Sequence, residues 1–310
     1  MKTRSSFRRV VVITAIAAAG CLGIAAIIGL ATTGFIPGRF GGQGITVDES
    51  KRLPSAGVAL VVVDSVSDNV RIAEGTEDAI VARLHGTAGS ASADTVPHLF
   101  AESSGSTADI RLERGKAFSL GFTWDRLVLD VSVPKGYRGK LEVHSVSADL
   151  DLADHAWQGV ALRTTSGSMK AGAVTASEFS AHSTSGNLLV SSLDAARTEI
   201  SSVSGDVRLE SVHGDVSATS VSGDMAVTFV SAAARLDAQS TSGSVSVRLP
   251  PDAAFVLDAH STSGNVTCRF PIVVQDSRNG GGNHVLSGKV GSGTGLVAVR
   301  TVSGDIRVSP

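Results

Sequence analysis

The segment Ser201-Ser-Val-Ser-Gly-Asp-Val-Arg-Leu209 recurs along most of this 310-residue chain. When its glycine is the reference, eight copies align, and a small residue stands at the centre of each. These centres are Ala148, Gly167, Gly186, Gly205, Gly223, Gly243, Gly264 and Gly304. Successive centres lie 19, 19, 19, 18, 20, 21 and 40 residues apart, the last gap being about two periods. A short repeat of this constancy predicts an architecture of stacked repeats.

Apolar and polar residues alternate on both sides of the central residue. In the quoted copy, Val207 and Leu209 are apolar and flank Arg208, and the other copies keep this pattern. Alternation with period two indicates a strand with one buried face. The Ser-Gly-Asp/Asn/Ser junction indicates a tight corner, because glycine tolerates positive φ and Asp or Asn side chains bond the local backbone. Each repeat is therefore predicted to be a strand, a corner and a second strand.

Two folds could use this pattern. An antiparallel meander would place a hairpin turn at every Ser-Gly, whereas a β-solenoid would stack each repeat on the previous one, about 4.8 Å away. A small hydroxyl recurs at one inward position of successive copies, namely Ser183, Ser202, Ser220, Ser240 and Ser261. Stacking explains this recurrence, since identical residues then form ladders. We therefore expect an all-β fold, a parallel β-solenoid with about 19–20 residues in each rung.

The first 36 residues differ from the rest. Residues 1–9 contain four basic residues and no acid, and an uncharged apolar segment runs from Val10 to Leu30 and loosely to Ile36. A helix of this length spans about 30 Å, the thickness of a bilayer core. We predict a cytoplasmic basic tail at 1–9, one transmembrane helix at 10–36, and a C-terminal domain outside the cytoplasm. The predicted location is the cell membrane, with a single pass.

A cleavable signal peptide is the alternative for this segment. Ala18-Ala-Gly-Cys21 resembles a lipoprotein cleavage site, but alanine stands where leucine is preferred, and the hydrophobic run continues past Cys21. We expect a retained anchor, and leave cleavage and lipidation open. The glycine-rich residues 37–56 then predict a flexible linker between the membrane and the domain.

Residues 57–310 are predicted to form the solenoid. Within it, 57–142 is an irregular N-terminal cap region, whose degenerate first copy carries Asp68 in place of glycine. Residues 143–310 form the regular repeats, interrupted by a Gly-rich loop at 275–295.

The last copy, Arg300–Val308, ends two residues before the chain does. A terminal rung presents unpaired backbone groups. We therefore expect this rung to be covered by the 275–295 loop or to pair with a second chain, which makes self-association through the C-terminal rung possible.

Charge and cysteine content exclude several functional classes. The chain has 27 basic and 29 acidic residues, and the four basic residues of the tail leave the exported part mildly acidic. This balance predicts no nucleic-acid binding. No Gly-x-Ser-x-Gly motif occurs, and the repeat serines stand at corners, so we predict no enzymatic activity, no catalytic residues and no cofactor. Cys268 stands at an inward position and is expected to act as a small apolar residue.

Two columns of the repeat could suggest a metal. His144, His182 and His260 share an outward column, and on the repeat count His182 lies two rungs from His144 and four from His260. These separations exceed the reach of one zinc ion. Asp206 and Asp224 would lie on adjacent rungs at the corner, but turn chemistry accounts for them without calcium. We therefore predict no metal site.

Several motifs together resemble the DUF4097 family. They are the Val-Pro-Lys-Gly segment at 133–136, the Leu-Pro-Pro segment at 249–251, the recurrent Ser-Gly-Asp/Asn-Val copies and the closing Thr301-Val-Ser-Gly-Asp-Ile306. The resemblance covers roughly residues 57–310. It implies a β-solenoid of a candidate-adhesin family, associated with the envelope and without catalysis, some of whose members are linked to envelope stress. Ala148 and Asp68 depart from the family pattern, where glycine is expected.

The expected function is that of a membrane-anchored, extracytoplasmic interaction surface that resembles an adhesin and binds an unknown protein or envelope partner. The alternative is an envelope-stress sensor or modulator that binds a peptide, a lipid or a membrane protein. A basic tail of nine residues is too short to be a signalling domain of its own.

Overall fold

The computed structural model describes residues 45–89, 96–113, 124–231, 235–278 and 284–310. Regular structure in these ranges is entirely β. No helix in these ranges is long and apolar enough to cross a bilayer. The predicted tail at 1–9 and the predicted anchor at 10–36 lie outside the described residues. Residues 44–310 form one compact unit.

Twenty-three strands lie in the described ranges. The first eleven are β1 (Ile45–Pro54), β2 (Leu60–Ser65), β3 (Asn69–Gly75), β4 (Ala79–Gly89), β5 (His98–Ser104), β6 (Thr107–Glu113), β7 (Trp124–Pro134), β8 (Lys140–Ser145), β9 (Leu150–Leu152), β10 (His155–Ala156) and β11 (Gly159–Ser166). The others are β12 (Met169–Ser185), β13 (Leu188–Ser204), β14 (Val207–Ser222), β15 (Met225–Phe229), β16 (Arg235–Ser242), β17 (Val245–Arg248), β18 (Phe255–Ser261), β19 (Val266–Cys268), β20 (Ile272–Arg278), β21 (His284–Val290), β22 (Gly295–Ser303) and β23 (Ile306–Ser309).

Equivalent positions of successive repeats stack directly on one another. In the parallel register Leu188 pairs with Val207, and Val207 pairs with Met225. The two strands on either side of a Ser-Gly corner therefore pair with neighbouring rungs rather than with each other. In an antiparallel meander, the two strands on either side of a corner would pair with each other. The all-β prediction is confirmed for the described residues, and their arrangement is solenoid-like.

The corner divides each rung between two walls. The first wall consists of the strands that precede the corner: in spatial order β5, β6, β2, β8, β11, the C-terminal parts of β12, β13 and β14, then β16, β22, β18, β21 and β20. The second wall consists of the strands that follow it: β1, β4, β7, β3, β9, the N-terminal parts of β12, β13 and β14, then β15, β17, β23 and β19. Buried side chains of both walls form one hydrophobic core.

The corners stack so closely that a side chain does not fit at their centre. Gly205 has a φ of +122°, a region that residues with a Cβ rarely adopt. A Cβ built on Gly205 would also lie far inside the contact distance of the Gly186 carbonyl oxygen in the preceding rung. Ala148 and Asp68, the two departures from the pattern, are buried, and no non-glycine residue in the described ranges has a positive φ. These two corners therefore turn without the left-handed conformation.

A ladder of hydroxyl groups lies inside the corner, as the sequence predicts. Its members are all buried and are paired from rung to rung: Ser65, Ser145, Thr164, Ser183, Ser202, Ser220, Ser240, Thr301 and Ser261. Most of these groups bond to the corner backbone; the Ser261 hydroxyl, for example, donates to the Gly304 carbonyl at 2.9 Å. The ladder thus supplies donors to carbonyl groups that the tight turn leaves without a strand partner.

A second ladder lies on the outside of the corner. The side-chain oxygen of Asn187 accepts the Asp206 N–H at 2.9 Å, Asp206 accepts the Asp224 N–H at 3.0 Å, and Asp224 accepts the Ser244 N–H at 2.8 Å. Each Asp or Asn therefore caps the corner of the next rung. This geometry explains the recurrence of Asp and Asn after glycine, because one side chain satisfies one backbone donor in each rung.

The order of rungs in space differs from their order in sequence at both ends. At the N-terminal end, β6 and β7 lie outside β2 and β3, although they follow them in the chain. At the C-terminal end, β22 and β23 lie between the rung of β16 and β17 and the rung of β18 and β19. The expectation that Arg300–Val308 is the terminal rung, covered by the 275–295 loop or by a second chain, rests on a wrong order of rungs, because both of its edges pair with other rungs of this chain. That rung consequently offers no strand template for self-association.

Two segments predicted to be irregular contain strands. Ile45–Pro54, within the predicted linker 37–56, is strand β1, which pairs antiparallel with β4 and buries Val47 and Leu53. The prediction of a long loop at 275–295 is likewise wrong for most of its length. β20 and β21 form an antiparallel pair there, and β21 covers the edge of β18. Both segments contain glycine-rich stretches, which are typical of loops, but a short alternation of apolar residues in each is enough for a strand.

We expect substitutions in one repeat to separate the roles of corner, core and surface. Gly205→Val forces a β-branched residue into a left-handed conformation, at a cost on the order of 1–3 kcal/mol before the clash with Gly186 is added. Val207→Asp buries a carboxylate without a partner, which costs several kcal/mol. Arg208→Ala changes an exposed side chain and should stay within about 0.5 kcal/mol. Thermal or urea unfolding measures all three, and a ranking with Arg208→Ala as the worst variant would contradict these positions.

The outer ladder predicts a second matched pair of variants. Asp206→Ala removes the acceptor of the Asp224 N–H and should reduce the free energy of unfolding by roughly 0.5–1.5 kcal/mol. Asp206→Asn keeps an oxygen in the same place and should remain close to the wild type. If the asparagine variant lost as much stability as the alanine variant, the carboxylate charge would matter more than this hydrogen bond. Urea midpoints measured with and without EDTA would reveal such a charge-dependent ion.

Candidate functional site: an arginine-lined cleft

Outward side chains of the second wall stand in two neighbouring columns near its C-terminal end. In one column Arg208 pairs with Ala226, Ser246 with Arg307, and Arg307 with Thr267. In the other, Arg248 pairs with both Thr228 and Ser309. Strands β14, β15, β17, β23 and β19 carry these residues. Because strand residues alternate between faces, the side chains that flank the buried valines of these strands point to solvent.

These columns line a cleft of about 730 Å3, which we call the arginine cleft. Its charged residues are four arginines and one acid, namely Arg208, Arg248, Arg269, Arg307 and Glu210. The remaining lining residues are serine, threonine, alanine and valine. The arginine side chains belong to exposed residues, whereas the lining valines Val227, Val247 and Val308 are buried. The accessible chemistry of the cleft is therefore guanidinium and hydroxyl.

The arginines differ in their partners. Arg307 Nη2 lies 2.6 Å from the Asp305 Oδ2 atom, so part of its charge is offset. Arg208, Arg248 and Arg269 form no ion pair with any residue of the described ranges. A guanidinium group stays charged at any physiological pH and presents five donors in a planar fork. The guanidinium groups of Arg208, Arg248 and Arg269 are therefore available to bind a ligand.

The charges are spread along the stacking axis. Arg248, Arg307 and Arg269 stand on three successive rungs, and Arg208 stands two rungs before Arg248. At about 4.8 Å for each rung, the cluster of three spans about 10 Å and the whole set about 19 Å. Like charges at this spacing repel one another, and an anion that lies between them relieves that repulsion.

The first wall carries a cleft of the opposite character. This cleft has a volume of about 760 Å3, and its charged residues are mainly acidic: Glu142, Glu178, Glu199 and Asp215, with Lys140 and Arg197. Close to it, burial raises the pKa of the Asp64 carboxyl, an effect that His144 opposes and Asp109 reinforces. The two clefts thus differ in charge, and the arginine cleft is a local exception in a chain that is slightly acidic overall.

A ridge of exposed β-branched residues runs along the corner between the walls. Val66, Val203, Val221 and Val302 are about half exposed there, each between the inner hydroxyl ladder and an outward serine. Valine at an exposed strand end is consistent with strand propensity and its stiff side chain. The ridge is therefore a regular row of valine side chains without charged groups of its own.

The predicted histidine column exists, with one change. His144 pairs with Arg163 and Arg163 with His182, so these two histidines lie two rungs apart as predicted. His260 lies five rungs from His182 rather than four, because β22 inserts beside it. Burial lowers the pKa of His182, and the neighbouring Arg163 lowers it further. Within the described ranges, no cluster of three or more His, Cys, Asp or Glu side chains is arranged to hold a metal ion.

The other residues singled out from the sequence have structural surroundings. Asp206 and Asp224 belong to the outer ladder described above. Cys268 is half-buried against the core, and burial raises the pKa of its thiol, which makes the thiolate less available. Trp157 is buried and packs edge-on against Tyr137. The Trp124 backbone lies in β7.

A buried histidine escaped the sequence analysis. The His155 ring lies against Trp157, and its nitrogens are 2.9 Å from the Glu74 carboxylate and 2.9 Å from the Tyr137 carbonyl. The carboxylate and the carbonyl are acceptors, and each of the two ring nitrogens lies within hydrogen-bonding distance of one of them. His155 therefore joins the turn after β7 to strand β3, and neither of its ring nitrogens is left for a ligand.

Similarity to known proteins was found at two levels. A crystal structure described as a candidate adhesin from Bacteroides fragilis matches 89% of this chain and 100% of its own, with 13% identity and a TM-score of 0.42. One described as a candidate lipid-binding protein from Parabacteroides distasonis matches 84% and 96%, with 14% identity and a TM-score of 0.39. One described as a candidate cell adhesion protein from Clostridium sporogenes matches 86% and 99%, with 11% identity and a TM-score of 0.28. No curated protein matches the chain.

The family comparison covers most of the chain. The family model described as Toastrack DUF4097 matches residues 59–309, which include every regular repeat, both rearranged ends and the arginine cleft. The start of the match lies within two residues of the boundary expected from the sequence. This chain therefore belongs to the DUF4097, or Toastrack, family.

Proposed function

We propose that this chain is a non-catalytic, adhesin-like interaction module, held on the outer side of the cell membrane by its N-terminal segment. The observation that carries the proposal is the arginine cleft. A row of exposed guanidinium groups on a rigid wall is suited to binding anionic groups. The wall is rigid because each rung pairs with two others along both walls and because the corners are bonded by two side-chain ladders.

The repeat serines support a structural role rather than a catalytic one. Ser183 and Ser202 are buried and lie within hydrogen-bonding distance of the corner carbonyls of Gly186 and Gly205. A nucleophile has to be accessible and has to contact a general base. These hydroxyls instead belong to the inner ladder.

The anchor completes the proposal. The apolar segment at 10–36 follows a basic tail, which favours a cytoplasmic N-terminus and an exported domain. Eight residues, 37–44, lie in the sequence between the predicted anchor and Ile45, where the first described strand begins. The arginine cleft would then face the envelope rather than the cytoplasm.

The topology can be tested with protease. Protease added to intact protoplasts should remove the β domain and spare a small fragment that contains Val10 to Leu30, whereas protease added to inverted vesicles should spare the domain. Mature protein that begins at or near Cys21 would contradict the retained anchor. Protection of the domain in intact protoplasts would contradict its export.

The interaction module can be tested by binding to envelopes. Fluorescently labelled full-length protein in a neutral detergent should bind isolated cell envelopes saturably and should be displaced by excess unlabelled protein. Gly205→Val, which disrupts the fold, is the matched negative control. Absence of saturable binding, or turnover of an envelope component by the purified protein, would contradict the proposal.

A further inference from the structure

We propose that the arginine cleft binds a linear phosphodiester polymer that lies along the stacking axis. This inference rests on the proposed function as an interaction module and specifies the chemistry of its ligand. Four arginines carry it: Arg208, Arg248, Arg269 and Arg307.

The charge of the cleft favours an anionic ligand. Three of the four guanidinium groups lack an acidic partner in the described part of the chain, and a single acid, Glu210, lines the same cleft. Such a cluster is unfavourable without counterions, since each charge repels its neighbours one or two rungs away. A bound anion replaces those counterions and forms charge-assisted hydrogen bonds with the forks.

The arrangement favours a chain of anionic groups over a single ion. The cleft is too long for one phosphate to contact all four arginines, because they are distributed over about 19 Å at one rung per 4.8 Å. The Ser246 hydroxyl stands in the same column as Arg307 and supplies a neutral donor beside it, whereas the Thr267 hydroxyl on the other side donates to the Ile306 carbonyl at 3.2 Å. Guanidinium groups at intervals along the stacking axis fit phosphodiesters, whose charges recur along a chain with uncharged linkers between them.

The lining favours a phosphodiester chain without bases and argues against nucleic acids, acidic polysaccharides and membrane surfaces. Single-stranded nucleic acids are held by aromatic side chains on which bases stack, and sugar rings of acidic polysaccharides commonly pack on aromatic residues. Among the residues that the structure describes, no aromatic side chain lines the arginine cleft. A bilayer surface is usually bound through apolar side chains as well as basic ones. The apolar residues of the cleft are buried or small, so a membrane surface would interact with it through charge alone.

The experiment measures binding of a synthetic glycerol phosphate oligomer to the full-length protein in a neutral detergent. The test variant is Arg248→Gln, Arg269→Gln, Arg307→Gln. Its control is Arg163→Gln, Arg197→Gln, Arg300→Gln, which removes the same charge from exposed positions on the first wall. Thermal unfolding of all three proteins establishes that the variants are folded, and the substituted side chains are all exposed.

We expect the oligomer to bind the wild type and the control variant alike. The test variant should bind about 100-fold more weakly, which corresponds to the usual contribution of three basic residues at an anionic surface. The logarithm of the wild-type binding constant should fall linearly with the logarithm of salt concentration. This slope should decrease by roughly one for each arginine removed.

Competition experiments distinguish the other ligands. Inorganic phosphate at the same phosphate concentration should not displace the oligomer, and full displacement would reduce the cleft to a single-ion site. Short-chain phosphatidylglycerol that binds as tightly as the oligomer would identify a lipid headgroup instead. Equal binding of polyglutamate would indicate an acidic protein surface. Each of these results overturns the proposal, as does equal weakening in the control variant.

The outcomes also separate this inference from the proposed function. If wild-type and test variant bind envelopes equally and neither binds the oligomer, the module functions through another surface and the inference is wrong. If neither protein binds envelopes although the wild type binds the oligomer, the proposed function fails while the cleft chemistry stands.

Discussion

The stacking of backbone on backbone at the corner is the constraint on which the rest of this structure depends. At Gly186, Gly205 and Gly223 the glycine sits against the carbonyl of the preceding rung, where a Cβ has no space. This contact sets the position of both strands that leave the corner. The hydroxyl ladder inside and the Asp/Asn ladder outside then satisfy the polar groups that the turn exposes. The corner therefore keeps equivalent residues of successive rungs in register.

A fixed register gives the outward residues a fixed arrangement that does not depend on what they are. The core needs apolar side chains at the inward positions, and the corner needs glycine and small polar residues. The outward positions are free of both demands, so they can carry charge without cost to the fold. On the first wall this freedom is used for a mainly acidic cleft, and on the second wall for arginines. The two clefts are built on the same framework and differ in the charge of their lining.

The ends of the stack show how exposed strand edges are managed. Each end interleaves its rungs and then adds antiparallel strands, β4 and β1 or β5 at the N-terminal end and β21 with β20 at the C-terminal end. At the N-terminal end the Glu49 carboxylate on β1 accepts the Leu99 N–H at 2.8 Å and lies 2.7 Å from the His98 ring. This joins the two walls there. In the described residues, three of the four wall ends therefore finish in an antiparallel strand outside the repeat, β1, β5 or β20, and the fourth finishes in the parallel repeat strand β19.

The sequence by itself determined the strand–corner–strand unit, the residues that face inward, and the family. The period of two and the Ser-Gly corner are local properties, and local sterics decide them wherever the repeat occurs. The order of the rungs was decided only by the tertiary structure. Similar repeats can pair with one another at nearly equal free energy, so spacing along the chain does not reveal that β22 and β23 insert before β18 and β19. That insertion places Arg307 between Arg248 and Arg269. Each arginine is visible in the sequence as an outward residue, but the cleft is not, because it depends on which rungs become neighbours.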